Sequence, residues 1–144
     1  MNIQSKRALI TGASRGVGAA TALQLAKAGC KVAINYNQSL ERAEQVAVQC
    51  REAGAEAILL QGDVAEDAAC RSMVEQTLSA FGGLDILINN AGTTRFIDFP
   101  NLEEVNDEDW DRIFAVNLKG PFQMARAARG ALAEGEGGVI VNTA

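Results

Sequence analysis

Three glycines in the segment TGASRGVG, Gly12, Gly16 and Gly18, follow a hydrophobic run and precede a helical pattern. Glycine lets the main chain turn tightly and approach a ligand closely, and unpaired N–H groups at a helix N-terminus attract phosphate. The spacing G-x3-G-x-G is not the usual dinucleotide fingerprint G-x-G-x-x-G, but the same physics applies. We therefore predict that the main-chain amides of the three glycines form a cage for a cofactor diphosphate. A tight connection that binds no ligand is the alternative.

The end of the second predicted strand bears on which dinucleotide would bind. A site that selects NAD carries an acidic residue about 20 residues after the glycines, where it binds the ribose hydroxyls. Here the chain has Asn35, Tyr36 and Asn37, with no carboxylate before Glu41, while Arg15 adds a positive charge within the glycine turn. The missing anion and the added cation favour a 2′-phosphate. We therefore predict NADP(H) in preference to NAD(H); the alternative is that Arg15 is only a solvated surface residue.

The absence of histidine and the spacing of the cysteines bear on which kinds of catalysis and metal binding are possible. The sequence contains no histidine, which removes Ser-His-Asp and Cys-His catalysis and the commonest metal ligand. Its three cysteines, Cys30, Cys50 and Cys70, form no Cys-x-x-Cys pair and are odd in number. We expect them to pack in the core as small hydrophobic residues, with redox or metal chemistry as the alternative. No metal site is predicted.

Length, composition and charge are those of a single α/β domain. The chain has 144 residues, of which 48% are hydrophobic and 22% charged, and its net charge is −5. This acidic balance, with Lys and Arg scattered singly, argues against a nucleic-acid or anionic-membrane surface. The first residues lack the features of a signal peptide, and no apolar run approaches the roughly 20 residues of a membrane span. We therefore expect a cytoplasmic protein with no membrane or nucleic-acid partner.

The elements that position the glycine turn alternate between strand and helix. Strands are predicted at Arg7–Thr11, Lys31–Asn35, Ala57–Gln61, Asp85–Asn89 and Gly138–Asn142. Their largely continuous apolar centres are typical of strands covered on both faces. Helical repeats lie between them, and the longest apolar stripe comprises Trp110, Ile113, Phe114, Leu118 and Phe122. The alternation predicts βαβ units with right-handed crossovers, and hence a doubly wound parallel sheet with helices on both faces.

Four motifs resemble those of the short-chain dehydrogenases/reductases. The glycine turn matches the family's T-G-x3-G-x-G, and Asp63-Val64 after the third strand resembles its adenine-contacting pair. The sequence from Asn89 to Gly92 matches its N-N-A-G motif, and the segment from Val116 to Gly120 resembles the one that bears its catalytic Asn. The motifs occur in the family's order and span the whole chain. The most similar group is that of the 3-oxoacyl-(acyl-carrier-protein) reductases and related NADPH-dependent carbonyl reductases.

This resemblance implies a Rossmann-type sheet of strand order 3-2-1-4-5 and a role for each matching residue. The phosphates of the cofactor would be cradled by Gly12, Ser14, Arg15, Gly16, Val17 and Gly18. The adenosine half would meet Asn35, Tyr36 and Asn37. Asp63 and Val64 would bracket the adenine. The ribose and the approach to the nicotinamide would be lined by Asn90, Ala91 and Gly92.

Asn117 matches the family's catalytic Asn, which anchors a water molecule in a proton relay. It lies between Phe114 and Leu118 on the apolar stripe, so we expect its side chain to point inward. Four residues later, Pro121 lacks the N–H that would bond the Asn117 carbonyl, and its ring would clash with that carbonyl. We expect the helix to kink there and leave the carbonyl free for water. A kinked helix with a purely structural, hydrogen-bonded Asn is the alternative.

The sequence departs from the family pattern in two places. The family's catalytic Ser and Tyr-x-x-x-Lys would follow the fifth strand, where the sequence ends in GGVIVNTA. Because a sheet ending at this strand would expose an apolar edge, we interpret residues 1–144 as a dinucleotide-binding domain incomplete at its C-terminus, from the amino-terminal part of a longer protein. The loop of residues 93–106 also differs from that of the acyl-carrier-protein reductases, which leaves the substrate open.

Two functions from different classes fit these observations. The first is an NADP(H)-dependent oxidoreductase that transfers a hydride between the nicotinamide and a ketone or secondary alcohol, with a 3-oxoacyl thioester among the candidate substrates. The second is a nucleotide-binding module or sensor without catalysis. The exposed sheet edge favours the enzyme, because a complete module of this length is physically unfavourable. The resemblance also implies a homo-oligomer, tetramer or dimer, with the helix around Trp110–Ala125 at one interface.

Overall fold

Five parallel strands form one sheet in the computed structural model, which describes residues 2–134 and 137–143. The strands are β1 (Arg7–Ile10), β2 (Lys31–Tyr36), β3 (Ala57–Gln61), β4 (Ile86–Asn89) and β5 (Val139–Asn142). Their order is β3-β2-β1-β4-β5, and all four pairings are parallel. This confirms the predicted doubly wound sheet, with strand bounds that differ from the predicted ones by at most one residue at an end. The order reverses direction between β1 and β4, where open α/β sheets form a ligand crevice.

Helices cover both faces of the sheet. They are α1 (Gly16–Lys27), α2 (Leu40–Glu52), α3 (Asp67–Phe81), α4 (Asp107–Phe114) and α5 (Gly120–Leu132), with a short 3₁₀ turn at Leu102–Glu104 and a π-turn at Ala115–Lys119. Alternate strand residues face opposite layers. Ile10 packs in one core cluster with Ala22 of α1 and residues of α2, whereas Leu9 packs in a second cluster with Met73 of α3 and residues of α5. Burial on both faces explains why the strands show continuous apolar runs.

Helix α2 follows Ser39, whose side chain forms no capping hydrogen bond. The three cysteines are buried, as expected. Burial raises the pKa of the Cys70 thiol to about 11 and also raises those of Cys30 and Cys50. The thiols are thus kept protonated and unreactive. Every helix in the described part of the chain is too short or too polar to cross a bilayer.

The longest apolar stripe is exposed rather than buried. Trp110, Phe114, Leu118 and Phe122 are between 50 and 65% exposed. The core-facing side of this helical segment is instead formed by smaller or flexible residues, which are Val116, Gly120, Gln123, Met124, Ala128 and Leu132. Gly120 allows the segment to approach the end of β3, because a Cβ there would lie 2.8 Å from Val64 Cγ2. The expectation that Asn117 points inward is therefore wrong: it lies on the exposed side of the segment.

An ion pair fixes the end of the sheet opposite the glycine turn. Asp85, which is 8% exposed, accepts hydrogen bonds from Arg7 Nε at 2.7 Å, Arg7 Nη2 at 3.0 Å and the Arg7 main-chain N–H at 2.8 Å. These bonds from Arg7 hold the pKa of the Asp85 carboxyl below its usual value, despite the opposing effect of burial. The pair joins the start of β1 to the start of β4 and so supports the alignment of the two strands that flank the crevice.

Candidate functional site

A cleft of about 710 Å³ lies over the carboxyl ends of β1, β2, β3 and β4. It is lined by Gly12, Ser14, Arg15, Gly16, Val17, Asn35, Tyr36, Asn37, Gln38, Ser39, Gly62, Asp63, Val64, Asn90, Ala91, Gly92, Thr93, Arg112 and Val116. All of the predicted cofactor-binding residues line it except Gly18, and the volume is in the range of ligand pockets. A groove of about 540 Å³ between α5 and β5 has a mainly apolar lining and lies away from the glycine turn.

The three glycines of the turn serve different purposes. Gly12 and Gly16 have positive φ angles of 62° and 58°, which side chains other than Gly rarely adopt. A Cβ at Gly12 would lie 2.7 Å from Ala91 Cα, and one at Gly18 would lie 2.7 Å from the Gly12 carbonyl oxygen and would clash with the Asn90 side chain. Gly12 and Gly18 therefore allow the turn to pack against the loop after β4. At Gly16 a Cβ would meet no atom within 4 Å, so this glycine borders open space.

The amides of the turn are only partly available to a ligand. The Gly12 N–H donates to Asn35 Oδ1 at 3.0 Å, and the Ala13 N–H donates to the Asn35 carbonyl at 2.8 Å. The predicted cage therefore cannot include the Gly12 amide. By contrast, the N–H groups of Gly16, Val17 and Gly18 in the first turn of α1 meet no acceptor within the described residues. These three amides carry the partial positive charge of a helix N-terminus.

Asn35 forms hydrogen bonds that join the ends of three neighbouring strands. Its side chain is buried, with 2% of the residue exposed, and Nδ2 donates to the carbonyls of Leu60 and Gly62 at 3.2 and 3.0 Å. Together with the bond from Gly12, these contacts join the ends of β1, β2 and β3. The polar atoms of Asn35 are thus used within the protein. At the end of β2, Tyr36 lines the cleft but is largely buried, whereas Asn37 is exposed.

The loop after β4 is attached to the glycine turn by Thr11 and Asn90. Thr11 Oγ1 accepts from the N–H groups of Asn90 and Ala91 at 2.9 and 3.0 Å. Asn90 Nδ2 donates in return to the carbonyls of Thr11 and Gly12 at 3.0 and 3.1 Å. Sequence reasoning did not assign this positioning role to Thr11, although the residue opens the TGASRGVG segment. The neighbouring Asn89 instead donates to Asn142 Oδ1 at 2.9 Å, which ties β4 to β5.

Among the residues that the structure describes, two cations and one carboxylate line the cleft. Arg15 is exposed and forms no ion pair with any described residue. Arg112 contacts Asp63, with 2.8 Å between Nη1 and Oδ2. Partial burial raises the pKa of Asp63, but hydrogen bonds from the Ala65 N–H and from Arg112 outweigh this effect and lower it. Asp63 is therefore an anion and a hydrogen-bond acceptor at neutral pH.

Arg112 was missed by sequence reasoning. The only signal was its spacing from Val116, since residues four apart lie on the same face of a helix, and Val116 opens the fourth motif. Both residues line the cleft.

Asn117 borders the cleft without lining it. Its Oδ1 accepts from the Thr93 N–H at 2.8 Å, and its Nδ2 donates to the Thr93 carbonyl at 2.9 Å. The expected break before Pro121 takes the form of the π-turn, in which the Gly120 N–H donates to the Ala115 carbonyl. Helix α5 restarts with Pro121 in its first turn, where a missing N–H costs nothing. Such π-turns are often found at functional sites.

The family model and the relatives that match this chain cover nearly all of its length. Residues 6–144 match the family model described as short chain dehydrogenase. An uncharacterized oxidoreductase of Thermotoga maritima is 44% identical over 142 residues, which are 99% of this chain and 54% of that protein. A 3-oxoacyl-(acyl-carrier-protein) reductase of Staphylococcus aureus is 40% identical over 139 residues, which are 96% of this chain and 55% of that protein.

Among solved structures, a short chain dehydrogenase from Burkholderia cenocepacia in complex with NADP is 44% identical and superposes with a TM-score of 0.90. The match covers 99% of this chain and 56% of that one. The chain thus spans about half the length of the curated relatives that it matches.

Proposed function

The chain belongs to the short-chain dehydrogenase family, and on this basis we propose that it forms the NADP(H)-binding part of an oxidoreductase. The proposed reaction transfers a hydride between the nicotinamide and a ketone or secondary alcohol, with 3-oxoacyl thioesters among the candidate substrates. The nicotinamide supplies the hydride chemistry, while the residues of this chain bind and orient the cofactor. The observation that carries the proposal is the group of unbonded amides at the start of α1, which opens into a cleft at the reversal of the strand order.

The first turn of α1 suits the diphosphate of a dinucleotide. The N–H groups of Gly16, Val17 and Gly18 need acceptors, and the helix dipole favours an anion at this end. The open space beside Gly16 lets a phosphate approach the main chain closely. These features fit the proposed group without any change in the turn.

The charges that line the cleft support NADP(H) as the preferred cofactor. Arg15 is available to a 2′-phosphate, since it has no carboxylate partner in the described residues. The Ser39 hydroxyl also lines the cleft and is not used as a helix cap. The carboxylate that lines the cleft, Asp63, is already paired with Arg112. A 2′-phosphate beside Arg15 and Ser39 would therefore meet a cation and a hydroxyl donor.

The remaining residues of the cleft have proposed positions along the cofactor. Asp63 and Val64 would bracket the adenine, and Asn90, Ala91 and Gly92 would line the ribose and the approach to the nicotinamide. Asn117 would act at the same end: its side chain holds Thr93 beside Gly92. Its main-chain carbonyl is the proposed acceptor for the relay water, because Pro121 has no N–H to donate to it.

Self-association is a further part of the proposal. The exposed side chains of Trp110, Phe114, Leu118 and Phe122 follow one another at intervals of four residues, which aligns them along one side of the helical segment. Exposed apolar surface of this extent is typical of protein–protein contacts. The proposed partner is a second copy of the same protein.

Calorimetry on the complete protein tests the proposal. We expect NADPH to bind more tightly than NADH, and NADPH to be oxidised in the presence of a ketone or a 3-oxoacyl thioester from a substrate panel. Failure to bind either coenzyme would refute the proposed site. Equal or tighter binding of NADH would refute the cofactor preference, and binding without turnover of any carbonyl compound would favour a non-catalytic module.

A further inference from the structure

Arg112 joins two elements of the cleft that are far apart in the sequence. It lies on α4, and its guanidinium contacts the Asp63 carboxylate just beyond the end of β3, with an Nη1–Oδ2 distance of 2.8 Å. The Arg112 side chain is 46% exposed and that of Asp63 is 24% exposed. The pair therefore lies at the mouth of the cleft, where a bound ligand would shield it from water.

The Asp63 carboxylate accepts hydrogen bonds from three donor groups. Its Oδ1 accepts from the Ala65 N–H at 2.9 Å, and its Oδ2 accepts from Asn37 Nδ2 at 3.3 Å in addition to the contact with Arg112. A carboxylate has about four acceptor positions, two on each oxygen. Both positions on Oδ2 are used, so the free one is on Oδ1. The donors thus determine which oxygen is left to bind a ligand.

We propose that Arg112 is a positioning residue for the adenine end of the cofactor, acting through Asp63 rather than touching the cofactor. This inference rests on the proposed function. By occupying Oδ2, Arg112 orients the carboxylate so that Oδ1 accepts a hydrogen bond from the exocyclic amino group of adenine. A base with a carbonyl oxygen at that position, such as hypoxanthine, places an acceptor against an acceptor and gains nothing from this orientation. Arg112 does not take the 2′-phosphate, because its charge is already compensated by Asp63.

The experiment compares two cofactors whose bases differ in the group at C6 and, with it, in the proton on N1. Dissociation constants of NADP⁺ and of nicotinamide hypoxanthine dinucleotide phosphate are measured for the complete protein and its variants. Arg112→Met keeps the aliphatic stem and removes all donors. We expect it to weaken NADP⁺ binding roughly fivefold, as for the loss of one hydrogen bond of typical net strength. Binding of the hypoxanthine analogue should change by less than about twofold, within the usual effect of a surface substitution.

Three further variants separate positioning from general structural effects. Arg112→Lys retains a single donor and should restore part of the preference for adenine. Arg71→Met removes a comparable exposed ion pair, that of Arg71 with Asp67 on α3, and should leave both constants unchanged. In an Asp63→Ala background, Arg112→Met should no longer alter the preference, since coupled residues show non-additive effects.

The outcomes distinguish this inference from the proposed function. If Arg112→Met weakens the binding of both dinucleotides equally, the ion pair is purely structural and the positioning role is wrong. An unchanged preference for adenine over hypoxanthine would likewise contradict the positioning role. If the unaltered protein binds neither dinucleotide, the proposed function fails and the inference fails with it. Loss of the adenine preference with unimpaired binding of the hypoxanthine analogue supports both.

Discussion

Replacing Asn35 by Asp tests how the strand ends are held together. The substitution keeps an acceptor for the Gly12 N–H but removes the donors to the Leu60 and Gly62 carbonyls, which lie at 3.2 and 3.0 Å. It also places a carboxylate against two carbonyl oxygens at a position that is 2% exposed. Each buried group left without its partner costs about 1–3 kcal/mol. We expect Asn35→Asp to lower the free energy of unfolding by about 3–5 kcal/mol at neutral pH.

The pH dependence of this loss has a definite sign. Burial beside two carbonyl oxygens raises the pKa of the introduced carboxyl above its value in the unfolded chain. The neutral acid, which still donates one hydrogen bond, therefore prevails in the folded protein at low pH. The destabilisation relative to the unaltered protein should be smallest near pH 4, about the pKa of a free Asp, and should grow as the pH rises through the raised pKa.

Urea unfolding followed by circular dichroism at several pH values measures the effect. Asn37→Asp is the matched control, because Asn37 is exposed and lies only two residues away. Its change in unfolding free energy should stay within about 1 kcal/mol, even though it brings a second carboxylate near Asp63. If both variants unfold at the same urea concentration, or if the deficit of Asn35→Asp shrinks with rising pH, Asn35 does not join the strand ends in the way described.

Three further predictions concern the cofactor and the opposite end of the sheet. Arg15→Ala should weaken binding of NADPH far more than that of NADH in calorimetry, since only NADPH carries the 2′-phosphate; equal losses would contradict its assignment. Asn37→Asp should shift the ratio of the two dissociation constants towards NADH, by adding the acceptor that ribose hydroxyls need; an unchanged ratio would show that the end of β2 does not meet the ribose. Because Arg7 lowers the pKa of Asp85, the stabilisation from this group is present above about pH 4 and is lost as the pH falls through the lowered pKa. Asp85→Asn should therefore lower stability at neutral pH and reduce its decline in acid, and an unaltered acid profile in urea titrations would refute this.

Local sequence patterns were sufficient to predict the architecture. The continuous apolar runs identified the five strands, because a parallel sheet buries both faces of each strand. Right-handed crossovers then leave few possible strand orders. The position of the cleft follows from the same reasoning, since the carboxyl ends of parallel strands lie at one edge of the sheet. For this reason nearly all of the residues at strand ends that were predicted to bind the cofactor line one cavity.

The directions of the side chains and their hydrogen-bond and ion-pair partners depend on the tertiary structure. Asn35 and Asn37 are alike in type and nearly adjacent, yet one is buried among carbonyls and the other is exposed, because the strand ends between them. The apolar stripe of Trp110 resembled a core face, but the sheet accommodates only the smaller residues on the other side of that segment, so Asn117 faces outward. The pairing of Arg112 with Asp63 joins two segments brought together by the crossover. Local patterns encode which residues form an element, whereas hydrogen-bond partners depend on the distances between elements, which arise only when the layers pack.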